Sequence, residues 1–303
     1  MTRIPNFVIG GAAKSGTTAL AHYLEQHPQV FLARPKEGHY FLASECPPAF
    51  TGPGDEVANR SYVTNRDAFL ERFDAAREEI AVGEASVFYL YRPQAFRRAL
   101  DMNPDMKVII LLRNPVDRAH SAYMHLVRMG RETLSFEDGL DAEAQRIADN
   151  WEYCWHYAEV SRYLAQLRLL FSIVPTEQVC TLLYDDLEQA PKSVMKTVFR
   201  FLGVDDSFLP KTSLRINASG EPRSSLVHAL VRMSEGKWNN TLKRIIPRRA
   251  GVWLKETVRN LNLRKVEMDP EVRRRLEQEL LGDLPEIELL IGRSLAHWRP
   301  LPA

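Results

Sequence analysis

Phe7-Val8-Ile9-Gly10-Gly11-Ala12-Ala13-Lys14-Ser15-Gly16-Thr17-Thr18 sets an apolar run, a glycine-rich turn and a helix start in immediate succession. Backbone N–H groups in such a turn, with the N-terminus of the helix behind it, form a nest for phosphate oxygens. A plain strand-to-helix turn needs glycine for its geometry, but it has no use for the further donors Lys14, Ser15, Thr17 and Thr18. The stretch therefore predicts an α/β fold with an anion site at the end of its first strand.

Against the nucleotide-binding pattern G-x-x-x-x-G-K-[ST], Gly11 and Gly16 have the right spacing and Thr18 takes the hydroxyl position. Thr17 stands where the lysine belongs, and the lysine has moved into the loop as Lys14. A second signal is Arg113, directly after the apolar run Val108 to Leu112, where a magnesium-binding aspartate would be expected. Arg113 offers a bidentate fork, and the helix opened by Asn114 and Pro115 brings Ser121 as a hydroxyl for a second phosphate. Pairing of Arg113 with Asp117 is the competing reading. Together the two signals suggest a phosphorylated donor handled without magnesium.

Outward from these motifs, short apolar runs at Asn6 to Gly10, Glu79 to Gly83, Met106 to Leu112 and Gln178 to Tyr184 read as buried strands. Helical patterns lie between them, at Thr17 to Gln26 and Val116 to Met129, along the face Tyr157, Val160, Leu164, Leu167 and Phe171, and from Val194 to Leu202 with a stop at Gly203. Asp269-Pro270-Glu271 starts a last pair of helices ending near Trp298. This alternation argues for a three-layer, P-loop-like α/β fold, a central parallel sheet flanked by helices, with ligands beyond the carboxyl ends of the strands. The cluster Pro47, Pro48, Gly52, Pro53 and Gly54 reads as a surface loop.

At 303 residues the chain fits one large α/β domain or about two smaller ones. Its 45% hydrophobic and 26% charged residues exclude wholesale disorder, and a net charge of +1 gives no global argument for nucleic acid. Cys46, Cys154 and Cys180 are too few and too scattered for a disulfide framework or a zinc site, and they read as free thiols. There is no uninterrupted apolar window of about 18 residues, so no spanning helix is expected. The first strand begins so near Met1 that no leader or anchor is expected ahead of it, and a cytoplasmic location follows. From Arg223 to Lys265 eleven basic residues face two acidic ones. That segment reads equally as an acceptor-binding face, a peripheral membrane contact or a solvated stretch.

These residues resemble the sulfotransferases that use 3′-phosphoadenosine 5′-phosphosulfate, PAPS. Lys14 to Thr18 is similar to their 5′-phosphosulfate loop, and Leu112 to Ser121 to their 3′-phosphate site, with Arg113 and Ser121 as the arginine and serine. Further matches are Gly83-Glu84-Ala85-Ser86, Tyr184-Asp185-Asp186-Leu187, Phe201-Leu202-Gly203, Asn217 to Ser224, and Leu290 to Arg293 with Trp298. The likeness spans nearly the whole chain, 1–303, as a single domain. It is nearest the bacterial branch related to the Golgi carbohydrate sulfotransferases, which carry an N-terminal anchor not seen here.

The resemblance implies sulfuryl transfer from PAPS to an acceptor hydroxyl, with 3′,5′-bisphosphoadenosine as product and no required metal. Lys14 would meet the charge that gathers on the leaving phosphate. Glu37, in Arg34-Pro35-Lys36-Glu37-Gly38-His39-Tyr40-Phe41, would be the base. His39, on the same side of an extended segment, would orient the substrate or share the proton, and the division between Glu37 and His39 stays open. Ser15, Gly16, Thr17, Thr18, Arg113, Ser121 and Arg223 would hold the nucleotide. The acceptor, a carbohydrate, lipid, or small-molecule alcohol or phenol, would be chosen by the segments 42–65 and 225–265. Two alternatives remain at this point: a magnesium-dependent ATP kinase on the same fold, and a nucleotide-binding protein without chemistry.

Overall fold

The structure, a computed structural model, describes residues 3–44, 48–212, 221–222, 263–264 and 267–300. Five strands, β1 (Phe7–Gly11), β2 (Val30–Leu32), β3 (Ala81–Ala85), β4 (Lys107–Leu112) and β5 (Val179–Leu183), pair in parallel in the order β2-β3-β1-β4-β5. Four of them lie within two residues of the runs read from sequence. The fifth, β2, is new, because three residues are too few to show a period. It pairs with β3 at Val30↔Ala81.

The strands are mostly apolar on both sides, as burial between two helical layers requires. In β4, Val108, Ile110 and Leu112 pack with Tyr163, Leu167, Leu170 and Phe96 on one face. Ile109 and Leu111 pack with Leu20, Leu24, Val194 and Phe199 on the other. Asn114 caps the Pro115–Met129 helix by accepting from the N–H of Val116 and Asp117, and Gly203, at φ 80°, ends the Pro191–Leu202 helix. The terminal pair forms at Pro270–Leu280 and Leu284–Ile291.

Two expectations change. No single helix runs from Tyr157 to Phe171: a 3₁₀ turn at Glu159–Ser161 precedes the Tyr163–Ile173 helix. The reason is tertiary, since the Tyr157 carbonyl accepts from the buried Arg118 Nη2 instead of continuing a helix. The Pro47–Gly54 cluster is not wholly superficial either, for Thr51 and Pro53 are exposed while Gly52 is buried. Asp55 Oδ2 accepts from the Gly52 N–H at 2.8 Å. Among the described residues no helix is long and apolar enough to cross a membrane.

Strand order reverses around β1, which has β3 on one side and β4 on the other. In such sheets the crevice beyond the carboxyl ends of the strands at the reversal is where ligands bind. The 12–16 loop leaves β1 there, and Arg113 leaves β4.

Candidate active site

A cleft of about 290 Å³ opens at this crevice, with Lys14, Gly16, Thr17, Thr18, Glu37, Arg113 and Ser121 in its lining. Residues from three separate parts of the sequence thus meet in one place. The loop is shaped by Lys14 at φ 69° and Gly16 at φ 94°. A Cβ on Gly16 would stand 2.9 Å from the Tyr184 ring, so this position requires glycine for close approach as well as for its backbone. Among the described residues none accepts from the N–H of Lys14, Gly16, Thr17 or Thr18. These open donors at a helix N-terminus suit a phosphate.

Lys14 is half-buried, and burial pushes its ammonium down to about 8, helped by the charges of Arg128, Arg113 and Arg118 and opposed by Glu37. A lysine surrounded by cations at the mouth of a phosphate nest is poised for a strongly anionic ligand. Arg113 donates from Nη1 to the Lys14 carbonyl at 3.3 Å, and its guanidinium lies 4.7 Å above the Tyr184 ring. It does not pair with Asp117, which is held by Arg273 at 2.7 Å. Arg113 is fixed from behind by Tyr163, whose hydroxyl donates to its carbonyl at 3.0 Å.

The base segment departs from expectation. Glu37 and His39 do not lie in an extended stretch; both have positive φ, 64° and 47°. The turn sends Glu37 into the cleft, half-exposed, while His39 is only 2% exposed and stands outside the lining. Burial pushes the His39 ring down to about 3, with Arg72 adding to it, so the imidazole is neutral. It stacks on Phe88 and lies tilted against Tyr62, with Nε2 4.0 Å from Glu37 Oε2. Ser15 departs likewise: its side chain is fully buried beside the Tyr163 hydroxyl, leaving only its backbone to the loop. Arg223 and Cys46 lie outside the described residues, as does nearly all of 225–265. A short ribbon, Glu221–Pro222 with Leu263–Arg264, does lie against the Pro115–Met129 helix.

Beyond Ser121, sequence reasoning left the rest of one face of that helix out of the site. Arg118, Ser121, Ala122, His125 and Arg128 all line the cleft. Their spacing of i, i+3, i+4, i+7 and i+10 marks a single helical face, a signal that Ser121 alone was enough to point to. Arg118 holds the loop through Nη1 to the Ala13 carbonyl at 3.4 Å, while its Nε donates to Ser161 Oγ in the 3₁₀ turn. Lys36 was missed as well, although its Nζ donates to Thr18 Oγ1 at 3.1 Å.

The far wall is Val87, Phe88, Glu152, Tyr153 and Cys154. Asp55, Glu152 and Cys154 bring ligand-type atoms within 4.8 Å of one another. Arg131 pairs with both carboxylates there, donating to Asp55 and to Glu152 at 3.1 Å, so a guanidinium already supplies the positive charge a metal would bring. The C-terminal tail braces the crevice from behind. Trp298 Nε1 donates to Asp185 Oδ2 at 2.9 Å, and the Trp298 carbonyl accepts from Asn114 Nδ2 at 3.2 Å.

Comparison with known proteins adds three findings. A family model described as Sulfotransferase family matches residues 5–207. The crystal structure of a sulfotransferase from Alicyclobacillus acidocaldarius is 38% identical, with a TM-score of 0.79 over 99% of this chain and 100% of that one. Curated relatives include the membrane-associated sulfotransferase kil1 of Dictyostelium discoideum, 32% identical over 123 residues, or 40% of this chain and 22% of that protein. The bifunctional heparan sulfate N-deacetylase/N-sulfotransferase 1 of Caenorhabditis elegans is 24% identical over 223 residues, 71% of this chain and 24% of that protein. The chain spans about a quarter of the length of these curated relatives.

Proposed function

The chain belongs to the sulfotransferase family, and from that premise we propose that it moves the sulfuryl group of PAPS to an acceptor hydroxyl by in-line displacement, without a metal. The observation that carries this reading is the pairing of two anion-binding places across one crevice. Lys14 and the open N–H groups of the 12–18 loop lie beyond β1, and Arg113 with Ser121 beyond β4. A donor phosphorylated at both ends of its ribose suits that spacing of charge. When bound, the donor supplies the sulfuryl group on its 5′-phosphate.

The roles of the chain follow from where each group stands. Thr17, Thr18 and the loop backbone hold the 5′-phosphate, and Arg113 and Ser121 hold the 3′-phosphate. Glu37 takes the acceptor proton as the acceptor oxygen bonds to sulfur, while the bond from sulfur to the phosphate oxygen breaks and Lys14 meets the charge left on that oxygen. His39, neutral and buried, supports the aromatic wall beside Glu37, and burial makes its ring a poor acceptor for the substrate proton. Thr17 in the place of the nucleotide-binding lysine, and Arg113 at the end of β4, favour this chemistry over magnesium-dependent phosphoryl transfer.

On the acceptor side, the described part of 42–65 places Ala43, Phe50, Ala58 and Tyr62 in a cluster against Tyr153 of the cleft wall. We assign this cluster, with 225–265, to acceptor choice. A carbohydrate leads the acceptor classes, given the heparan sulfate of the relatives' names, ahead of lipid and small-molecule alcohols or phenols; those names specify transfer to nitrogen, and the hydroxyl acceptor is our own reading.

Conversion of PAPS to 3′,5′-bisphosphoadenosine, followed by chromatography across a pH series, tests the reading. Lys14 must be cationic and burial depresses it, so its charged form is present below about 8 and lost as pH rises through that value. The expected profile of kcat/KM for PAPS therefore falls above that point, is indifferent to chelators, and loses its falling limb in Lys14→Arg, whose guanidinium stays charged. A profile flat through that range in the unmodified protein contradicts the role given to Lys14.

A further inference from the structure

Beneath the turn that carries Glu37 lies a buried carboxylate that the transfer chemistry leaves unused. Glu84, in β3, has no exposed surface. Its Oε2 accepts from Ser86 Oγ at 2.8 Å and its Oε1 accepts from the Tyr89 hydroxyl. A hydroxyl has a single proton to give. Since Ser86 and Tyr89 both direct theirs to Glu84, their lone pairs face outward to the backbone. Ser86 Oγ accepts from the His39 N–H at 3.0 Å, and the Tyr89 oxygen accepts from the Phe41 N–H at 3.4 Å. On the other side of the turn the Glu37 N–H donates to the carbonyl of Ala85, the residue after Glu84, at 2.8 Å.

This bracket holds a turn that needs holding. Left-handed backbone at a residue other than glycine is strained and persists only where the surroundings over-determine it. Glu37 and His39 both adopt it, on either side of Gly38. Burial pushes the Glu84 carboxyl up, while its two hydroxyl donors act in the opposite sense.

We propose that Glu84, acting through Ser86 and Tyr89, is the positioning residue for the catalytic turn, its carboxylate fixing the direction in which Glu37 enters the cleft. The proposal rests on Glu37 being the base. A carboxylate is specifically required, because an amide has only one acceptor oxygen. In Glu84→Gln the amide nitrogen would face one of the two hydroxyls donor against donor, and that hydroxyl's proton would lose its acceptor.

The test uses PAPS with water as acceptor, reading release of 3′,5′-bisphosphoadenosine, in Glu84→Gln, Glu37→Gln and the double variant. Glu84→Gln is expected to lower turnover roughly 10²-fold, the scale of a misplaced reacting group, and to leave affinity for 3′,5′-bisphosphoadenosine unchanged. Added to Glu37→Gln it should cost nothing more, because the group it positions is already gone. Tyr89→Phe, which removes one arm and little volume, should fall between wild type and Glu84→Gln. Amide exchange gives a reading independent of turnover: protection of 37–42 should fall in Glu84→Gln, while that of 12–18 stays as in wild type. Equal losses in both backgrounds, or unchanged exchange at 37–42, overturn the positioning role. Wild-type turnover in Glu37→Gln alone overturns the base assignment instead, and the exchange result still reports on the bracket.

Discussion

Glu37→Gln is expected to lower sulfuryl transfer by about 10²- to 10⁴-fold, the usual contribution of a positioned general base, while leaving the affinity for 3′,5′-bisphosphoadenosine unchanged. The substitution keeps the shape of the side chain and removes only its capacity to take a proton. Glu37 is half-exposed in the cleft, 4.0 Å from both Lys36 Nζ and His39 Nε2. Neither of those groups can replace it: Lys36 is committed to Thr18, and His39 is buried with its ring pushed down to about 3. Loss of kcat with unchanged nucleotide binding, measured by calorimetry, is the expected signature. Unchanged turnover would remove Glu37 from the mechanism.

Lys14→Ala should reduce kcat by about 10²- to 10³-fold, the scale on which one preorganised donor to a developing charge is felt. The loop has other donors for the ground-state phosphate, in the N–H groups of Gly16, Thr17 and Thr18, so the nucleotide should still bind. The lysine matters most when charge grows on the oxygen that leaves, where Arg113 and Arg118 hold their positions by bonds to the loop carbonyls of Lys14 and Ala13. Steady-state kinetics separate the two roles. A lysine that only aided binding would give a raised KM with kcat intact.

How much of this was legible in the sequence follows from how local each determinant is. The β1 loop and the Arg113 to Ser121 stretch are each continuous in sequence, and both stand at the crevice as expected, because a strand end, a cap and a helix face are set by near neighbours. What was not legible depends on partners far along the chain. The helix expected from Tyr157 is broken by Arg118, 39 residues earlier. Ser15 looks like one more loop donor until the packing of Tyr163 shows its side chain turned inward. Glu37 and His39 look alike in an extended segment, and only the bracket built on Glu84, from β3, sets one in the cleft and the other in the core. The Glu152 wall depends on Asp55, which accepts from the Glu152 N–H at 2.8 Å across 97 residues of chain.

Calorimetric titration with 3′,5′-bisphosphoadenosine, and then with ADP and ATP, each with and without magnesium, tests the central claim most directly. The 3′-phosphate distinguishes these ligands, and Arg113 is the residue assigned to it. Tight binding of the bisphosphate that ignores magnesium and is lost in Arg113→Ala is the result the structure predicts. Preference for ATP with magnesium, or bisphosphate binding that survives Arg113→Ala, would contradict the assignment of the second anion site.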